Sequence, residues 1–89
     1  MVSGKVVVVN PSGLHLRPAG ILSKTALNYK SSILFHYKEN NSANAKSVLS
    51  VLGACIKVGD EIEFVCEGYD EKEALEAMIN IVKSGLGEE

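Results

Sequence analysis

Residues 61–83, EIEFVCEGYDEKEALEAMINIVK, change period halfway along, and that change decides the fold class. From Glu61 to Glu67 the side chains alternate, with Ile62, Phe64 and Cys66 to one side and Glu61, Glu63 and Glu67 largely to the other. That is the pattern of a strand with one buried face. Gly68 closes it. Beyond the break, Leu75, Met78, Ile79 and Val82 recur at i, i+3, i+4, i+7, the stripe of an amphipathic helix. Asp70 followed three residues later by Glu73 has the spacing of a capping box. Lys83 suits the negative end of the helix dipole, and Gly85 is a natural terminator.

Working outward, the same two periods recur. Ile33–Lys38 alternates, with Ile33, Phe35 and Tyr37 on one face and Leu34, His36 and Lys38 on the other. Lys5–Asn10 is β-branched and apolar almost throughout, which predicts a buried strand ended by the turn residues Asn10-Pro11-Ser12-Gly13. Between them, Ala19, Leu22, Ala26 and Tyr29 at helical spacing predict a helix over 16–29. Asn40-Asn41-Ser42 reads as a hairpin connection into a short edge strand over 42–44. Ser47 opens a short helix reaching about Ile56, and Val58-Gly59-Asp60 is a turn. The expected order is β-α-β-β-α-β-α. Helices this apolar on one side must cover one face of a mostly antiparallel sheet, an α/β (α+β) two-layer sandwich.

The 89 residues predict one domain over 1–89 with a modest core, too small for an enzyme with a deep enclosed pocket. A hydrophobic fraction of 46% with 22% charged residues is that of a folded protein. The net charge of −2 argues against nucleic-acid binding by counterion release. No apolar run approaches the roughly 20 residues that span a bilayer, and no signal-peptide core stands out, so a cytoplasmic protein is expected. Cys55 and Cys66 lack a CxxC spacing and read as two reduced thiols packed as small hydrophobes. No metal or other cofactor is expected, since His15, His36 and the two cysteines lack zinc-site spacing. His36 reads as an ordinary sheet-face histidine.

Chemistry concentrates in Asn10-Pro11-Ser12-Gly13-Leu14-His15-Leu16-Arg17-Pro18-Ala19-Gly20. A turn delivers His15 to the start of a helix, where free N–H groups and the dipole favour an anion. Arg17 adds a permanent planar cation suited to phosphate oxygens. Pro18 lies in the first turn, where its missing N–H costs no helical bond. Neutral imidazole offers a ring nitrogen as nucleophile near pH 7. No carboxylate stands close in sequence to activate water, which suits a group that must be carried rather than hydrolysed.

Gly13-Leu14-His15-Leu16-Arg17-Pro18-Ala19 closely resembles the active-site signature of the HPr family of the bacterial sugar phosphotransferase system. The resemblance runs the length of the chain, through Asn44–Leu49, the turn Val58-Gly59-Asp60-Glu61-Ile62 and the ending Lys83-Ser84-Gly85-Leu86. It implies an open-faced sandwich, three helices on a four-stranded sheet of order 1-4-2-3. It implies a phosphoryl group taken from phosphoenolpyruvate through Enzyme I onto Nδ1 of His15, with Arg17 pairing the phosphate and Ser12, Leu16 and Pro18 supporting it. The group then passes to the A domains of sugar-specific permeases, so the resemblance implies a phosphoryl-transfer carrier rather than a turnover enzyme.

Ser47, at a helix start, is physically an N-cap serine; a phosphate there is tolerated by the dipole. By resemblance it is the site that HPr kinase/phosphorylase modifies to make a corepressor for catabolite control protein A. The helix after it is too apolar to be buried on all sides, which nominates Val48, Leu49 and Leu52, with Leu16 and Gly20 beside His15, as a docking surface. A monomer is expected. Two other readings compete: an HPr-like regulator acting mainly through phospho-Ser47, in which the active histidine is typically replaced, and an unrelated RNA-binding module. The latter needs aromatic platforms and a basic groove, against 6% aromatic residues and an acidic balance here.

Overall fold

The computed structural model describes residues 1–88. Seven elements follow in the order expected: β1 (Val2–Val7), α1 (Leu16–Ala26), β2 (Ser32–Tyr37), β3 (Asn41–Asn44), α2 (Val48–Gly53), β4 (Glu61–Glu67) and α3 (Glu71–Lys83). The sheet is antiparallel throughout, in the order β1-β4-β2-β3. One row crosses all four strands on the covered face: Gly4, Phe64, Phe35 and Ala43 stand opposite one another in register. The two phenylalanine rings meet edge to face, centroids 6.0 Å apart. Gly4 lies directly under α3. A Cβ there would come within 2.8 Å of Ile79 Cδ1, so any larger residue would have to push that side-chain tip aside. Leu22, Met78 and Val82 from the helices complete a core with Ile33, Ile62 and Cys66 from the strands, all buried.

Several boundaries differ from the sequence reading, each for a local reason. β1 spans Val2–Val7 rather than 5–10, because its limits are those of its partner β4: Val2 pairs with Cys66 and Val7 with Glu61. Its valines are not all buried, either. Val6 and Val8 face the core while Val7 and Val9 are exposed, so this is a one-sided strand. The helix expected over 16–29 ends at Ala26; Asn28 and Tyr29 donate to Thr25 and Ala26, tightening the last turn toward β2. The connection into β3 is Lys38–Asn40, with Lys38 at φ 55°, so β3 begins at Asn41 rather than Ser42. α2 stops at Gly53, not Ile56, because Cys55 takes a left-handed conformation, φ 54°.

The capping box does not form. Asp70 precedes α3 but makes no side-chain cap. Its carboxylate turns instead to the end of the α1–β2 loop and accepts from the Lys30 and Ser31 N–H groups, both 2.9 Å, and from Ser31 Oγ at 2.5 Å. These bonds hold the Asp70 carboxyl down at about 2. The cysteines differ from one another: both are free, Cys66 is buried as expected, and Cys55 is exposed.

Candidate functional site

The loop between β1 and α1 is built by Gly13. It holds φ 64°, and a Cβ there would collide with the Ile56 carbonyl oxygen and come within 2.8 Å of Lys57 Cα. Only glycine lets this loop press against the chain leaving α2, a contact fixed by the Leu14 N–H donating to the Ile56 carbonyl at 3.0 Å. Asn10, buried beneath the loop, donates from Nδ2 to the Gly13 carbonyl at 2.8 Å.

Held in this way, His15 is the N-cap residue of α1, extended at φ −78° and ψ −174°. Its carbonyl accepts the first helical bond, from the Ala19 N–H at 2.8 Å, but its side chain makes no capping bond and is exposed. The helix start therefore carries unsatisfied N–H groups beside a free imidazole. Arg17 is exposed one residue into the helix and makes no ion pair among the described residues, while Pro18 is buried. Leu16 projects into solvent at 63% exposure, and Gly20 is half-buried. A shallow hollow runs from Ser12 and His15 to Leu52, Cys55 and Lys57, so the end of α2 forms one wall of the site.

A family model described as the PTS HPr component phosphorylation site matches residues 2–84. This chain belongs to the HPr family. It is 35% identical over 89 residues to the phosphocarrier protein HPr of Treponema pallidum, with both chains covered completely. It is 36% identical over 83 residues to the HPr-like protein Crh of Halalkalibacterium halodurans, covering 93% of this chain and 98% of that one. The crystal structure of HPr from Thermoanaerobacter tengcongensis superposes with a TM-score of 0.94 at 34% identity, covering 100% and 99% of the two chains. HPr proteins are the phosphocarrier component of the phosphotransferase system, and this chain has their open-faced sandwich.

Within that HPr frame, Ser12 makes a contact that its place in the sequence does not announce. Its hydroxyl lies 2.7 Å from each carboxylate oxygen of Glu88. The Ser12 N–H and Asn10 Nδ2 also donate to Glu88 Oε1, at 3.2 and 2.9 Å. The sequence shows no carboxylate near His15, yet the fold brings one to its loop from 76 residues away. Ser12 and Asn10 chiefly, with the Arg17 charge further off, hold the Glu88 carboxyl below its ordinary range.

Ser47 is the N-cap of α2, accepting from the Ser50 N–H at 3.2 Å. Of the nominated docking residues, Leu49 is 82% exposed, whereas Val48 and Leu52 are half-buried and lean on the core. His36 is on the uncovered sheet face, across from Ser42 and Glu63. Among the described residues there is no cluster of His, Cys, Asp and Glu that could hold a metal, and no helix long and apolar enough to cross a membrane.

Proposed function

We propose that this HPr-family protein accepts a phosphoryl group on His15 from phosphoenolpyruvate through Enzyme I and hands it to the A domains of sugar-specific permeases in the cytoplasm. The observation that supports this most directly is an exposed histidine at an uncapped helix start, with a free arginine two residues on. A ring nitrogen attacks phosphorus, and the attached dianion then meets the free N–H groups and the Arg17 guanidinium. The shallow site suits transfer, because the donor and acceptor proteins must both reach the phosphorus. Incubation with phosphoenolpyruvate and Enzyme I should add one phosphoryl mass, lost in acid and kept in alkali as a P–N bond requires. His15→Ala should abolish it. Labelling that survives in His15→Ala and vanishes in His36→Ala would assign the wrong histidine.

Ser47 is the regulatory site in this reading, a target for HPr kinase/phosphorylase. A phosphate there sits at the start of α2, where the dipole tolerates it, and next to the exposed Leu49. It should slow transfer by weakening docking without unfolding the domain. Phospho-Ser47 protein is compared with Ser47→Asp and Ser47→Ala in a transfer assay; aspartate carries about half the charge and should give a partial effect. Transfer to phospho-Ser47 protein at the unmodified rate would leave Ser47 a helix cap. The similarity to Crh favours a purely regulatory role, as a corepressor with catabolite control protein A, less than His15 with Arg17 favours the carrier.

A further inference from the structure

The segment after α3 is folded against the active-site loop. Gly85 and Leu86 cap the helix, their N–H groups donating to Val82 and Ile81 at 3.1 and 3.2 Å. Gly85, Leu86 and Gly87 are all left-handed, at φ 90°, 52° and 81°. A leucine in that conformation is unfavourable by itself; here it is anchored, because the Leu86 side chain is completely buried in the core. The Glu88 N–H then closes on the Gly85 carbonyl at 2.9 Å. This turn aims the Glu88 carboxylate at Asn10 Nδ2 and at both donors of Ser12.

We propose that Glu88 is an internal counter-anion that occupies the donors of the His15 loop in the unphosphorylated protein and is expelled when His15 is phosphorylated. The inference rests on His15 being the acceptor. During transfer the bond from phosphorus to the donor breaks as the P–N bond to His15 forms, the other ring nitrogen keeps its proton, and nothing is oxidised or reduced. The product places a dianion on the same loop whose Ser12 and Asn10 donors hold the carboxylate, with the Arg17 charge acting on it from further off. Like charges and shared donors make the two states exclusive. Glu88 therefore stabilises the unphosphorylated protein relative to the phosphorylated one. It shifts the carrier toward giving its group away, as a positioning residue acting through Ser12 and Asn10.

The test equilibrates wild type, Glu88→Gln and Glu88→Ala with phosphoenolpyruvate, excess pyruvate and catalytic Enzyme I, and reads the phosphorylated fraction by intact mass at neutral pH. Both variants should remain folded by circular dichroism, and their phosphorylation constants should rise roughly threefold or more. The difference should shrink at high salt, as a charge effect does and a packing effect does not. Equal constants in wild type and both variants, or a rise unaffected by salt, would overturn the role of Glu88. Failure of the carrier reading itself looks different: wild type would take up no phosphate, or His15→Ala would still take it up.

Discussion

Arg17 stands in solvent with no ion pair among the described residues, so little of the fold depends on it. What it offers is a rigid fork of donors beside the helix start, matched to phosphate oxygens. Arg17→Lys keeps the charge and loses the fork. Transfer from Enzyme I should slow about tenfold, the loss of one charge-assisted bond, while stability stays within about 0.5 kcal/mol. A large drop in melting temperature would make Arg17 structural and remove its role in pairing phosphate. The placement of these residues is legible in sequence because His15, Arg17 and Pro18 are neighbours on one turn at a helix start. Ser12 is not, since its hydroxyl is occupied by Glu88.

At the scale of elements, Asp70 shows how a local motif yields to tertiary structure. Its spacing to Glu73 reads as a capping box, but its carboxylate ties α3 to the chain entering β2, through Lys30 and Ser31. The folded carboxyl titrates at about 2 against an ordinary value of 3.8. A depressed value means the stabilisation is full above about pH 4 and is lost as pH falls through that window toward 2. Asp70→Asn should therefore be less stable than wild type at pH 7, with the gap closing by pH 2 in urea unfolding; a gap constant with pH would refute the charge-assisted link. The strands β2 and β4 were readable because alternation is written into them. The ends of β1 were not, since they are set by β4. Nor was the end of α2, where a cysteine rather than a glycine takes the left-handed position.

For the whole molecule, the order of elements and the covered sheet follow from periodicity, and the strand order agrees with what the family resemblance implies. The contact of Glu88 with the His15 loop does not, because no pattern links residues 76 apart. The exposed apolar surface is also narrower than the apolar sequence of α2 implies: Leu49 and Leu16 project, whereas Val48 and Leu52 partly serve the core. Leu49→Asp tests that surface. An acidic residue in the first turn of a helix is tolerated, so unfolding should hardly change. The KM for Enzyme I should rise about tenfold with kcat nearly intact, as expected when an apolar contact is replaced by a desolvated charge. An unchanged KM would move the docking surface away from α2.

The bare N-cap at His15 has a consequence for anyone redesigning the protein. Serine, threonine or aspartate at that position would close the open N–H groups of α1 and add about 1 kcal/mol of stability, so a search guided by melting temperature alone would choose one of them. Every such choice deletes the imidazole. On the proposed carrier role of His15, thermostability and usefulness are opposed at this one residue, and a library screened for robustness has to hold position 15 fixed.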